Sequence, residues 1–307
     1  MKRWAALLLV LAISEMWGPV ALWGYGQAIP ISPLPQGLSA DRFLDHVSEH
    51  PAGDQMELKR SGEIYQTLIT APPAEVERVI PAVLRYARPG NQVNVRAYAL
   101  RFLLAITARP DGANLLSSRS EEISSLIADD NAVIQASVVS TAEILMMQPA
   151  TNNKSYVAAL TAAVLNKTTP QDVVAERMIR FLMTYGRRNR DAVNSVLAFL
   201  HRDDLTSSTR SDLVGELSEV PGLPEEVNQY LLERLNDPAP SVRAAAVIAF
   251  ADSTTEFHFL AKSRVEKIAG DSNENSGLRE LAKKALAGQS FEWNPNAYVT
   301  PNNPTPH

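Results

Sequence analysis

The sequence predicts an all-α fold, a solenoid of about six antiparallel helix pairs with capping helices at its N-terminal end. Three observations lead there. An amphipathic pattern, V-R-x-x-A-x-x-A-F at its clearest, recurs six times at near-constant spacing. Each copy follows another helical segment across a short polar corner, so every unit reads as one helix pair. Aromatic residues are 7% of the 307 while apolar residues are 45%, so the core between the helices is mostly aliphatic.

The clearest copy is "VRAAAVIAF", with Val242, Arg243, Ala246, Ala249 and Phe250 in place. "LRELAKKAL" (Leu278, Arg279, Ala282, Ala285, Leu286) and "VRAYALRFL" (Val95, Arg96, Ala99, Phe102, Leu103) repeat it closely. Weaker copies are "TRSDLVGEL" from Thr209, "VAERMIRFL" from Val174 and "IQASVVSTA" from Ile134. Their first residues, 95, 134, 174, 209, 242 and 278, are separated by 39, 40, 35, 33 and 36 positions. One alanine-rich helix can arise by chance. Six at this spacing mark a stacked array.

The partner segments are "PAEVERVIPAVLRYA", "EEISSLIA", "YVAALTAAVL", "DAVNSVLAFL", "PEEVNQYLLERL" and "FHFLAKSRVEKIA". In "PEEVNQYLLERL", Val227, Tyr230, Leu231 and Leu235 share one helical face, and Pro224 with the glutamates after it suits a helix start. A two-helix unit of this size cannot bury its apolar face alone, so it must stack on its neighbours. Small side chains at Ala246, Ala249, Ala282 and Ala285 let the axes approach, with Val242 and Phe250 anchoring the ends of the buried stripe.

A V-R-x-x-A-x-x-A-L helix after an acidic corner resembles the HEAT repeat, in its short bacterial form, over roughly residues 73–288. The resemblance implies a right-handed α-α superhelix. It also implies a ladder in which a corner Asp meets an Arg early in a second helix of the neighbouring unit. By position the ladder places fall to Asp129, Asp204 and Asp237, and to Arg96, Arg210, Arg243 and Arg279. The copies at Ile134 and Val174 carry Gln135 and Ala175 in the Arg place, so the ladder is expected to break in the middle.

The ends read differently. Residues 1–28 place Lys2 and Arg3 before an apolar run and close on Gly26-Gln27-Ala28, the pattern of a signal peptide cleaved after Ala28. An uncleaved N-terminal anchor is the alternative. Residues 29–38 form a proline-rich linker, 39–72 an N-terminal helical cap and 73–288 the array. Residues 289–307 are a Pro- and Asn-rich tail carrying Phe291, Trp293 and Tyr298, which either folds back on the last unit or engages a partner. Export is therefore expected, to a bacterial periplasm or beyond the cell.

The composition argues against several chemistries. With no cysteine, disulfides and thiolate catalysis or metal binding are excluded. The formal charge is −5, and −6 once residues 1–28 remove Lys2, Arg3 and Glu15, so nucleic acid is not the expected partner. His46-Val47-Ser48-Glu49-His50 fits H-x-x-E-H, but Pro51 follows at once and no third ligand segment does, so no metal site is assigned. No glycine-rich phosphate loop or nucleophile elbow occurs. No catalytic residue and no cofactor are expected.

Tyr185, Arg187, Arg188 and Arg190 in "TYGRRNRD" form a candidate partner patch, against the plainer reading of basic residues closing a helix C-terminus. The function expected is a non-enzymatic, exported scaffold that binds a protein or peptide along the solenoid surface, as a monomer. Alternatives are a structural envelope component and a small-molecule-binding or lyase-type HEAT-like enzyme.

Overall fold

A computed structural model describes residues 39–50, 55–148, 153–166 and 173–299. The expected signal peptide, the linker and residues 300–307 lie outside the described residues. What is described is all-helical, with no strand among the described residues.

The helices follow one another as pairs. The first is α1 (Ala40–Glu49) with α2 (Gln55–Thr70), and the second α3 (Pro73–Ala87) with α4 (Val93–Thr107). In the third, the first member is broken into α5 (Gly112–Leu116), a 3-10 turn, α6 (Ser120–Ser125) and another 3-10 turn, before α7 (Ala132–Met146). Then come α8 (Asn153–Leu165) with α9 (Val173–Tyr185), and α10 (Arg190–Leu200) with α11 (Ser207–Ser218). The last are α12 (Glu225–Arg234) with α13 (Pro240–Asp252), and α14 (Glu256–Gly270) with α15 (Ser276–Leu286). All six copies of the pattern are second helices, and all six partner segments lie in first helices.

Local chemistry sets many of the starts. Asn131, Asn189 and Asn275 each accept two backbone N–H bonds at the head of α7, α10 and α15, and Thr206 accepts one at α11. Pro73 and Pro240 open α3 and α13, where a missing N–H costs nothing.

The packing forms two rows. Second helices touch in order, α2 on α4, then α7, α9, α11, α13 and α15. First helices do likewise: α1 lies on α3, and α6, α8, α10, α12 and α14 each touch the next. The two helices expected as a cap, α1 and α2, meet α3 and α4 in the same row-wise manner. The core runs between the rows and is mostly aliphatic, with Phe43, Phe102, Tyr156, Tyr230, Phe250 and Phe257 as its largest buried side chains.

The alanine-rich α13 shows what small residues do here. Every residue from Ala244 to Phe250 is buried. Its neighbours are α11 and α15 beside it, α12 and α14 beneath it, and the 3-10 turn Pro295–Tyr298 of the tail on it. A helix covered on every side is apolar all round, and only small side chains allow so many axes to approach.

Joints also close the ends of second helices. Arg109, after α4, donates to the carbonyls of Leu68 (2.6 Å), Ile69 (3.1 Å) and Ala71 (2.8 Å) at the end of α2. Ser253 and Thr255, after α13, donate to the Ser218 carbonyl that ends α11, at 2.9 and 2.8 Å. In each case the following pair satisfies carbonyls that a helix C-terminus leaves open.

Candidate functional site

The acid and arginine positions meet across successive pairs only in part. Arg96 of α4 pairs with buried Asp129 in the corner before α7. Arg210 of α11 forks onto Asp237 in the corner before α13, with Nε and Nη2 at 3.0 and 3.1 Å. Asp237 is 1% exposed and also accepts from Arg234 (3.1 Å) and the Ala239 N–H (3.0 Å). Arg243 of α13 reaches Glu274 in the next corner at 2.6 Å, an acid that sequence spacing did not single out.

Three of the four ladder arginines also donate to a backbone carbonyl. Arg210 donates to the Leu205 carbonyl, Arg243 to that of Asp237, and Arg279 to that of Ser272, each at 2.6 Å. The side chain thus braces its own corner while reaching for the next one. Arg279, on the last pair, has the bracing contact alone of the two. Gln135, in the Arg place of α7, donates to Ile127 at 2.7 Å and so keeps the bracing half. Asp204 departs from expectation. Ala175 offers it no cation, so Asp204 takes the adjacent Arg202 at 2.7 Å and stays 56% exposed. That hydrogen-bonded guanidinium holds its carboxyl below the usual carboxylate range.

Where the corner pairs stop, another set of charges joins the second helices directly. Glu143 of α7 accepts from Arg177 (2.8 Å) and Arg180 (3.2 Å) of α9, and Arg180 also meets Glu216 of α11 at 3.0 Å. Arg177 further donates to Ser140 at 3.0 Å. Sequence reasoning did not find this set. Its signal was present as two arginines three apart on one helix, facing carboxylates one unit to either side.

The basic patch is largely engaged. Arg187 donates to the Pro221 carbonyl at 2.6 Å, and Arg190 pairs with Glu226 at 3.0 Å. Both contacts tie the start of α10 to the start of the following pair. Tyr185 is part-buried and its hydroxyl pushed up, by burial first and by Glu143 second. Arg188 is exposed. Two of the four residues, Arg187 and Arg190, therefore already have partners in the following pair.

The two histidines of the motif lie side by side at the end of α1. His46 and His50 stack at 4.5 Å, and His50 Nδ1 lies 3.0 Å from the His46 carbonyl. Among the described residues no group of three His, Asp or Glu side chains converges. An open hollow of about 710 Å³ lies between Arg88, Arg119 and Glu122, and Glu122 already answers both arginines at 2.8 and 3.6 Å. No described helix is long and apolar enough to cross a membrane.

Two buried hydroxyls, on Tyr156 and Tyr230, have pKa values pushed up to about 12 by burial. A raised acid is held neutral by the fold, so its contribution is fully present below about pH 10, the unfolded value. It is lost as pH climbs through about 12. Urea titrations at stepped pH are expected to show stability falling across this window. The fall should be smaller in a Tyr156→Phe, Tyr230→Phe variant, and an equal fall in both would contradict the assignment.

The outward face of the second-helix row is the remaining candidate, and at its C-terminal end the tail lies on it. The tail leaves α15, sets Trp293 against Gly215 of α11, and returns to the start of α15 with the Tyr298 carbonyl over Gly277. Between these points the 3-10 turn rests on α13 and α15. A Cβ on Gly215 would come within 2.7 and 2.8 Å of the Trp293 ring. Gly in a helix interior costs about 0.5–1 kcal/mol relative to Ala, so the position serves the indole and not the helix. Of the two tail readings, folding back is the one present. No protein-family model matches the chain, and no curated protein matches its sequence.

Proposed function

We propose that the chain is an exported, non-enzymatic scaffold: a right-handed HEAT-like solenoid whose second-helix face takes an extended segment of a protein partner. The observation that carries this reading is the tail. It lies across the face of α11, α13 and α15 as a peptide would, touching three consecutive units. The continuous row of second helices from α2 to α15 supplies a long surface of the kind stacked repeats use for partners. The buried charges support it as well, because they join units and do not converge on a reacting centre.

The test is photo-cross-linking in the living host. Photoreactive residues replace Thr184 or Asp212, part-buried on second helices, or Asn194 or Gln229, exposed on first helices. A defined protein adduct is expected from the first two positions and not from the second two. Fractionation of the same cells locates the adduct. Adducts only from Asn194 and Gln229, or none, would overturn the reading. Broad capture of envelope fragments would favour a structural envelope component instead.

A further inference from the structure

We infer that the surface over α11, α13 and α15 is a recognition site for an extended partner segment bearing a tryptophan followed by proline and tyrosine, and that the chain's own tail occupies it in cis. The inference rests on the scaffold reading above and names the partner's chemistry. The seat is built for an indole. Gly215 leaves room on α11 where any side chain would strike the Trp293 ring, and Gly277 leaves room on α15 for the Tyr298 carbonyl. The turn that begins at Pro295 rests between them on α13, whose residues 244–249 are small or aliphatic.

The tail is held loosely enough to exchange. None of residues 289–299 is buried, and Trp293 itself is 44% exposed. Its backbone hydrogen bonds from Asn294 to Glu292, Ala297 to Asn294 and Val299 to Asn296 are all local. A segment seated by one ring and a turn, and not by buried polar bonds, gives way to a competitor with the same features. Being tethered, it competes at an effective concentration near the millimolar range. It thus sets a threshold that a partner segment must exceed.

The experiment measures anisotropy of a labelled peptide, QSFEWNPNAYV, added to full-length chains. Trp293→Ala is expected to bind it about tenfold more tightly than wild type, since the tethered competitor is weakened. Adding Gly215→Leu to Trp293→Ala is expected to abolish that binding, as is replacing the peptide's tryptophan by alanine. Gly215→Ala serves as the milder variant, with circular dichroism and the thermal midpoint checking that each chain is folded. Equal affinity of wild type and Trp293→Ala, or binding indifferent to Gly215, overturns the inference. If the peptide result fails while Thr184 and Asp212 still capture a partner, this inference falls and the scaffold reading stands. If the peptide binds as expected while those positions capture nothing, the seat is real and the wider reading falls.

Discussion

Asp237→Ala is expected to cost about 3–5 kcal/mol, as removing one partner of a buried ion pair does. The carboxylate is 1% exposed and accepts from Arg210, Arg234 and the Ala239 N–H. Its loss takes the shared carboxylate from two guanidiniums whose side chains are only 20% and 18% exposed. It also frees the corner that opens α13. An exposed pair gives the contrast: Glu226→Ala, which removes the partner of Arg190, is expected to leave the melting midpoint nearly unchanged. Urea or thermal unfolding of the two variants checks both. A loss for Asp237→Ala no larger than that for Glu226→Ala would show that the corner carboxylate is not a joint.

Phe250→Ala is expected to lose about 3–5 kcal/mol, as buried aromatic truncations do. The ring is 2% exposed and stacks on His258 with centroids 4.5 Å apart, while His258 Nδ1 lies 2.7 Å from the Phe250 carbonyl. Truncation therefore opens a cavity between α13 and α14 and removes the surface that positions the imidazole. Leu286, the matching residue of the last copy, is only part-buried. Its truncation should cost well under half as much. Similar losses at 250 and 286 would mean that the last unit is covered by something other than what is described.

Much of this organisation was legible in the sequence because stacking imposes a period. Val95, Ile134, Val174, Leu278 and Val242 repeat because each meets the same neighbours, and all five are buried. The Arg positions were legible for the same reason, since Arg96 and Arg210 find corner acids in the next unit. What the period does not encode was missed. Glu274 holds the acid role four residues before its copy instead of five, and the Glu143–Arg180–Glu216 set belongs to one break in the pattern. The split first helix of the third pair was also unexpected, since "EEISSLIA" covers only its second half.

The tail was legible as composition and not as contact. Its three aromatics stood out, but nothing local in "FEWNPNAY" names Gly215, more than seventy residues earlier. The clue lay at the other end, in a glycine inside "TRSDLVGEL", where the pattern has no need of one. That clue becomes readable only once the Trp293 ring is seen lying against it.

Consecutive helix pairs hold one another through nearest-neighbour joints, and we propose that this leaves the second-helix row as a working surface. Hydrogen exchange on the Asp237→Ala variant tests it most directly. Protection is expected to fall most in α10 to α13, the two pairs that share the broken joint, and to remain near wild type in α1 to α4. A uniform loss of protection across all helices would mean one cooperative core in place of a stack of pairs.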